Sequence, residues 1–320
     1  MENYKILITG GHGFIGCHIS HILKKLGHTV GVIDNYTDYK YYDVRLYRKV
    51  LAQRIKYAKA DNIYLRDILK SETVFESFKP DIVIHLASCP NANMLLGNIE
   101  QETKTAITGT LKILQLCVKH KVKRIVYASS SMVYGDFLTQ APDEFHPTDP
   151  KTLYGSYKLA GEQMIKSFNK DYELEYSILR PSAIYGTRDM IIRVISKMAK
   201  SAIEKSEIDV NGVHSKLDFT DVSEVAEAFI HGALHKGAVN QIFNCSRGRG
   251  RTIVEAARIV KDCMGQFSCK LNIKDSDSFY PTRDTLDNSK LKKITGWEPK
   301  IDIEYGIRKY ISWFKKNYLL

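Results

Sequence analysis

Twelve residues near the start of the chain decide its fold: KILITGGHGFIG, residues 5–16. A short apolar strand pattern leads into glycines at positions 10, 13 and 16, and an amphipathic helix pattern follows. The first glycine permits a sharp turn, the second lets the backbone approach a pyrophosphate, and the third packs the helix on the strand. The helix N-terminus adds N–H groups and a positive dipole. The stretch therefore predicts a dinucleotide-binding βαβ unit, with these candidate residues: Gly10, Gly13, Phe14, Ile15 and Gly16.

The second predicted strand ends in Val32-Ile33-Asp34, followed by Asn35. A carboxylate at this point accepts hydrogen bonds from both adenosine ribose hydroxyls and repels a 2′-phosphate. Asp34 and Asn35 are thus candidate cofactor residues, and NAD is favoured over NADP. The alternative interpretation is a solvated strand-end aspartate or a helix cap.

The rest of the first half alternates short apolar strands with amphipathic helices, which predicts parallel βαβ units. We expect an α/β fold: a Rossmann-type doubly wound parallel sheet with a smaller α/β C-terminal part. The expected division is residues 1–188 for NAD binding and 189–320 for substrate binding, with some later segments returning to the first domain. The predicted strands are Lys5–Thr9, Thr29–Asp34, Asn62–Leu65, Asp81–Ser88, Arg124–Ser130, Glu175–Pro181 and Gln241–Cys245. The predicted helices include Phe14–Leu26, Glu100–His120, Leu153–Asn169, Met190–Lys205, Val222–His235, Ile253–Met264 and Ile303–Lys316.

Composition indicates an ordinary globular protein. The 320 residues are 44% hydrophobic and 26% charged, and 47 Lys and Arg against 36 Asp and Glu give a net charge of +11. This excess favours acidic partners such as nucleotide phosphates. No stretch approaches the ~18 apolar residues of a membrane span. The six cysteines form no CxxC pair and no leader precedes the first strand, so we expect free thiols and a cytoplasmic location.

Two further patterns are discounted as sites. Four histidines near the first helix lack acidic partners and a ligand spacing, so no metal is expected. The basic stretches 119–124 and 247–251 fit a helix end and a surface loop, so no nucleic-acid partner is expected.

The segment Tyr154-Gly155-Ser156-Tyr157-Lys158 indicates proton transfer. Tyr154 and Lys158 are four residues apart, hence on one helix face, and an ammonium favours the phenolate of a neighbouring tyrosine. Residues 127–135, YASSSMVYG, place further hydroxyls at the carboxyl end of the fifth strand, where ligands bind in open α/β sheets. A solvated helix face and ordinary loop capping are the alternatives for these two patterns.

As a set, these residues resemble the extended short-chain dehydrogenase/reductase superfamily, particularly NAD-dependent nucleotide-sugar epimerases of the UDP-glucose and UDP-glucuronate 4-epimerase kind. The resemblance covers nearly the whole chain. It rests on residues 10–16, Asp34, Asp67-Ile68, 85–88, 129–135, Tyr154 with Lys158, 179–186 and 296–299.

The resemblance implies roles for individual residues. Asp67 and Ile68 would hold the adenine, Leu86, Ala87 and Ser88 would line the cofactor, and Lys158 would bridge the nicotinamide ribose. Tyr154 would be the base, and Ser130, counted back from Gly135, the hydroxyl member of the triad. His85 is read as a core residue. The resemblance also implies a homodimer built on helices 100–120 and 153–169.

The resemblance also bears on the reaction and the substrate. Relatives that dehydrate the sugar usually carry an acid where this chain has Met132, and a methionine cannot supply acid/base chemistry. Residues 38–44 and 188–190 resemble the uronic-acid branch. Ala183 and Leu217 depart from the residues that usually hold the nucleotide diphosphate, and Lys216 and Arg283 are candidates to replace them. The substrate candidates are therefore Ser130, Met132, Tyr154, Arg188, Lys216 and Arg283.

The leading hypothesis is an NAD-dependent epimerase that inverts C4 of a nucleotide-linked hexose or uronic acid through a transient 4-keto intermediate, as in polysaccharide biosynthesis. One alternative is a nucleotide-sugar dehydrogenase or 4-keto-sugar reductase that exchanges its cofactor. A non-catalytic NAD-binding protein is the other.

Overall fold

The computed structural model describes residues 2–37, 44–89, 98–189, 193–265, 269–274 and 282–318. Residues 38–43 and Met190, which belong to the segments that resemble the uronic-acid branch, lie outside the described residues. The main feature is a seven-stranded sheet, parallel throughout, with strand order β10-β6-β5-β4-β1-β2-β3. Its strands are β1 Lys5–Thr9, β2 Thr29–Asp34, β3 Asn62–Leu65, β4 Ile82–His85, β5 Arg124–Ala128, β6 Glu175–Pro181 and β10 Gln241–Cys245. The predicted Rossmann-type α/β class is confirmed.

Both faces are buried along the central strands of this sheet, which explains their apolar sequences. Side chains alternate along each strand, so Ile6 and Ile8 pack on one face while Leu7 packs on the other. The helices of this part are α1 Gly16–Lys25, α2 Val44–Ala58, α3 Glu72–Phe78, α4 Ile99–Thr103, α5 Thr110–Lys119, α6 Leu153–Tyr172 and α8 Val222–Leu234. Helices α1 and α8 cover the first face of the sheet, and helices α3, α5 and α6 cover the second.

The predicted helix 100–120 is present but not uniform. A π-helical segment, Lys104–Gly109, joins α4 to α5, and the backbone stays helical at both junctions. Single π turns inside α-helices are frequent at functional sites. At Gly109 a Cβ atom would lie 2.2 Å from Ile68 Cδ1, so the helix approaches Ile68 closely.

The smaller part has its own core, built on two small sheets. Their strand orders are β11-β9-β7 and β12-β8. Its elements are β7 Ala183–Tyr185, α7 Val194–Glu204, β8 Glu207–Asn211, β9 Lys216–Asp221, β11 Gly250–Thr252, α9 Ile253–Met264, β12 Lys270–Lys274 and α11 Ile303–Tyr318. Strand β10, helix α8 and helix α10, Ser289–Thr295, belong by sequence to this half but pack with the large sheet. Within the part of the chain that the structure describes, no helix is both long and apolar enough to cross a membrane.

Candidate active site

A cavity at the carboxyl ends of the parallel strands contains most of the predicted site residues in its lining. Every predicted cofactor residue lines it, from the glycine loop to the helix carrying Tyr154. These are Gly10, Gly13, Phe14, Ile15, Gly16, Asp34, Asn35, Asp67, Ile68, Leu86, Ala87, Ser88, Tyr154 and Lys158. Ser130 lines it as well. Residues that are far apart in the sequence therefore meet at the carboxyl ends of the strands, which is where open parallel sheets bind ligands.

The glycine loop is closely packed and leaves no room for side chains. Gly10 has φ +67°, and its N–H donates to the Ile33 carbonyl at 2.7 Å. A Cβ on Gly16 would lie 2.5 Å from the Gly10 oxygen, and one on Gly13 would lie 2.9 Å from it. The loop leads directly into the N-terminus of α1, whose first turn carries no acidic side chain. This cradle fits a pyrophosphate held by backbone N–H groups.

The Asp34 carboxylate is fixed at the cavity wall. It accepts the N–H of His12 and the N–H of Tyr36, each at 3.0 Å. Burial raises the pKa of Asp34, and these two N–H bonds oppose that rise. The ring of His12 is in turn held by the Tyr36 hydroxyl at 2.9 Å. A preorganised carboxylate in this place suits two neighbouring ribose hydroxyls.

Replacing Asp34 with Asn is expected to weaken NAD binding about tenfold, because a charged hydrogen-bond acceptor becomes a neutral one. Binding of NADP should weaken less, since the charge that repels its 2′-phosphate is removed. Dissociation constants for both dinucleotides, measured by isothermal titration calorimetry, check this. Asp61→Asn is the matched control, because Asp61 also accepts a backbone N–H, from Val30 at 2.7 Å, yet does not line the cavity. An unchanged NAD:NADP affinity ratio in Asp34→Asn would contradict the assignment.

The Tyr154 and Lys158 pair is positioned by a helix start. Thr152 caps α6 by accepting the Gly155 N–H at 3.2 Å, so Tyr154 lies in the first turn and Lys158 one turn later. Lys158 Nζ donates to the Ala128 carbonyl at 2.8 Å and lies 5.6 Å from the centre of the Tyr154 ring. The Ser130 hydroxyl accepts the Met132 N–H at 3.2 Å and lines the same cavity. The three predicted catalytic side chains therefore all border one cavity.

Burial dominates the electrostatics of this triad. It raises the pKa of Tyr154 to about 12, with the Cys89 thiol adding to the rise and the Arg193 charge and the Ser130 hydrogen bond opposing it. Burial also lowers the pKa of Lys158 to about 8, and the charges of Cys89 and Glu102 oppose that change. With these pKa values Tyr154 holds its proton at neutral pH, whereas the pKa of Lys158, about 8, lies much closer to neutrality. A hydroxyl bound between Ser130 and Tyr154 would exchange its proton with the phenol oxygen.

A buried network supports the strand ends beneath the triad. Glu162 and Arg180 form a two-pronged ion pair with distances of 2.8 and 2.6 Å. Glu162 also accepts the hydroxyl of Ser129, the neighbour of Ser130, and Arg180 donates to the Tyr134 hydroxyl at 2.9 Å. The carboxyl end of β5 is thus fixed by charge-assisted bonds on its inner side.

Four predicted substrate residues do not line this cavity. Met132 is buried in the 3₁₀ turn that follows Ser130. The Arg188 guanidinium lies over the Tyr57 ring, 3.4 Å from its centre, and so faces α2. Lys216 pairs with Asp284 at 3.0 Å, beside Arg283, so these two candidates lie close together but outside the cavity lining.

Sequence reasoning missed several charged residues of the cavity, among them Arg54, Glu102 and Arg193. The guanidinium groups of Arg54 and Arg193 lie 5.9 and 4.7 Å from the centre of the Phe14 ring. The sequence pattern could have indicated Arg54 and Glu102, because each is spaced at helical intervals from apolar residues that are buried on the same helix face. Arg54 shares the buried face of α2 with Tyr47, Val50 and Ala58, and Glu102 precedes the buried Ala106 by four residues. A charged residue on an apolar helix face is costly unless it has a partner or a function.

Comparison with known proteins gives consistent results. The model of the family "NAD dependent epimerase/dehydratase" matches residues 6–246. A Methanocaldococcus jannaschii protein, provisionally named UDP-glucose 4-epimerase, is 32% identical over 98% of this chain and 99% of its own length. A UDP-glucuronate 4-epimerase from Thermodesulfobacterium geofontis is 29% identical, covering 97% of this chain and 96% of that one. The crystal structure of a Thermotoga maritima UDP-glucose 4-epimerase with UDP-glucose superposes with a TM-score of 0.87 at 27% identity, covering 98% of this chain and 99% of that one.

Proposed function

Because this chain belongs to the NAD dependent epimerase/dehydratase family, we propose that it inverts C4 of a nucleotide-linked hexose or uronic acid through a transient 4-keto sugar. The observation that carries the proposal is the convergence of Ser130, Tyr154 and Lys158 on the cavity that holds the glycine loop. Met132 supports epimerisation over dehydration, because loss of water from the sugar needs an additional acid/base that this side chain lacks.

NAD is the cofactor of this enzyme family, and the residues present fit it. The glycine cradle and the α1 N-terminus suit the pyrophosphate, Asp34 suits the adenosine ribose, and Asp67 and Ile68 border the adenine end. When bound, NAD supplies a two-electron acceptor that can return the same electrons, together with a positive charge in the cavity.

The chain's own residues then handle the proton. With the Lys158 ammonium and the positive charge of bound NAD favouring its ionised form, Tyr154 acts as the phenolate: it takes the proton of the sugar 4-hydroxyl at its phenol oxygen and returns it after the sugar ring has turned. Ser130, which lines the same cavity as Tyr154, orients that hydroxyl. The Lys158 ammonium, held by the Ala128 carbonyl, stabilises the phenolate electrostatically.

The substrate class follows from charge and from similarity. A net charge of +11 favours a substrate carrying a diphosphate. Relatives named above act on UDP-glucose and UDP-glucuronate by name, and we extend that nucleotide-sugar class to this chain. The proposal also includes a homodimer formed through helices 99–119 and 153–172. Ile99 and Leu111 on the first of these helices are exposed, as such an interface would require. We further propose a cytoplasmic location.

The first experiment is to denature freshly purified protein and identify the released dinucleotide by mass and absorbance. We expect NAD near one equivalent, because a closed redox cycle returns the cofactor to its starting state each turnover. An empty site that exchanges NAD or NADPH would favour the dehydrogenase or reductase alternative.

Product analysis completes this test. Nucleotide hexoses and uronic acids should give a C4 epimer of unchanged mass, identified by NMR. A product lighter by one water would identify a dehydratase and contradict the proposal.

A further inference from the structure

The cavity lining contains two arginines to which the proposed mechanism gives no role. Arg54 lies on α2, in the part built on the large sheet, and Arg193 lies at the start of α7, in the smaller part. Their guanidinium groups lie 5.9 and 4.7 Å from the centre of one ring, that of Phe14. Two cations from different parts of the chain are thus brought to the same residue of the glycine loop.

The surroundings of Phe14 add further positive charge. Phe14 follows Gly13 in the loop that fits a pyrophosphate, and α1 begins two residues later at Gly16. Arg193 is the N-cap of α7, so the positive end of that helix dipole lies at its backbone. Neither helix carries an acidic side chain in its first turn. Two helix N-termini and two guanidinium groups therefore favour an anion at this side of the cavity.

Arg54 is held in place by the backbone of the other part. It is 4% exposed, and its Nε donates to the Arg188 carbonyl at 2.9 Å. Arg188 has a φ of +70°, a left-handed conformation that is uncommon for a residue other than glycine. This bond to a neutral carbonyl orients the guanidinium group without removing its charge.

Arg193 is held by an acidic neighbour. Its Nη1 lies 2.9 Å from Asp189 Oδ1, and the Asp189 side chain is 2% exposed whereas that of Arg193 is 20% exposed. A guanidinium group has five N–H donors, so this ion pair fixes Arg193 and still allows it to bind a second anion. Both arginines are therefore oriented by the protein before any ligand binds.

We infer that Arg54 and Arg193 form a diphosphate-binding pair, in which both guanidinium groups bind the oxygens of a diphosphate ester that lies against the glycine loop. The planar fork of a guanidinium group matches phosphate oxygens in charge and in geometry. Both NAD and the nucleotide sugar of the proposed reaction contain a diphosphate. We expect the diphosphate of NAD, because Phe14 belongs to the loop that fits it; the other source rests on the proposed function.

The test variants are Arg54→Gln and Arg193→Gln, which remove the positive charge and keep a hydrogen-bonding side chain. The matched controls are Lys56→Gln on α2 and Lys197→Gln on α7, because each removes an exposed positive charge from the same helix. The controls measure the effect of net charge alone.

The readout is the affinity that the diphosphate adds to a nucleoside, measured by isothermal titration calorimetry on protein freed of its dinucleotide. ADP-ribose contains the diphosphate, and adenosine does not. We expect each arginine variant to lower the affinity for ADP-ribose about tenfold, because a charge-assisted hydrogen bond to phosphate is lost. The affinity for adenosine should change by less than about twofold, and neither control should change either affinity by more than that.

A second comparison distinguishes the two sources of the diphosphate. UDP and uridine are titrated into the NAD-loaded protein, in which the dinucleotide already occupies its own site. If the variants weaken UDP about tenfold and leave uridine and ADP-ribose unchanged, the pair binds the diphosphate of the nucleotide sugar.

Two results would overturn the inference. The first is an equal loss for ADP-ribose and adenosine, because the substitution would then act on the fold and not on a phosphate contact. The second is an affinity within about twofold of wild type for both ADP-ribose and UDP. If Arg54→Gln does not fold, Arg193→Gln, whose side chain is more exposed, carries the same comparison. The proposed function fails separately: a wild-type enzyme that epimerises no nucleotide sugar leaves the ADP-ribose result unaffected.

Discussion

Replacing Tyr154 with Phe is expected to lower kcat by about 10³-fold, the scale of a lost general acid/base, while the affinity for NAD should change by less than about twofold. The variant removes one oxygen atom, the proposed proton acceptor, and leaves the ring that faces Lys158 in place. The fold and the glycine loop are untouched by this change. Steady-state kinetics with the epimerised nucleotide sugar and NAD titration of the same preparation measure the two effects.

A second tyrosine on the same helix provides the control. Tyr157 donates or accepts a hydrogen bond with the Thr103 hydroxyl at 2.6 Å and does not line the cavity. Tyr157→Phe should retain kcat within about threefold, because it loses only one ordinary hydrogen bond. Near-wild-type turnover in Tyr154→Phe would reject Tyr154 as the base. An equal loss in both variants would assign the effect to helix α6.

The second large effect is on stability. Arg180→Met is expected to lower the free energy of unfolding by about 3–5 kcal/mol, because the change leaves the Glu162 carboxylate buried without its cation. The Glu162 and Arg180 side chains are 0% and 3% exposed, so solvent cannot replace the lost partner. Denaturant titration followed by circular dichroism gives the midpoint and the slope for each variant.

Two comparisons make the stability result specific. The double variant Arg180→Met with Glu162→Met should recover much of the loss, since no isolated charge remains buried. Lys292→Met breaks the exposed pair with Glu298, whose side chains are 55% and 50% exposed, and should cost less than about 1 kcal/mol. A loss in Arg180→Met no larger than that of Lys292→Met would show that the buried pair contributes little.

The large sheet was predictable because both of its faces are buried. The inner residues of strands such as Lys5–Thr9 and Thr29–Asp34 are buried and almost all apolar, and the glycines between strand and helix mark the strand ends. The small sheets gave no comparable signal. Strand β8, Glu207–Asn211, alternates buried and exposed residues over five positions, and β11 contains three residues. Such short segments are ordered by their neighbours more than by their own sequence.

The site residues also divide into those that the sequence could predict and those that it could not. The residues of local motifs, Gly10 to Gly16 and the Tyr154 and Lys158 pair, were identified from spacing and meet in the cavity. Arg193 was missed because tertiary packing beside Phe14, not a local pattern, places it there. The predicted substrate residue Arg188 was chosen by resemblance, and packing against Tyr57 turns its side chain toward α2.

The position of strand β10 has a consequence for the order in which the protein can fold during synthesis. The chain completes β6 at Pro181, but the strand that pairs with its outer side ends at Cys245, 245 − 181 = 64 residues later. At ordinary translation rates of about 5–20 residues per second, this leaves an interval of roughly 3–13 seconds. During that interval β6 is an uncovered sheet edge, and α8, which follows β9, is also late in reaching its face of the sheet. The nascent chain therefore passes through a stage at which edge pairing between neighbouring molecules competes with its own completion.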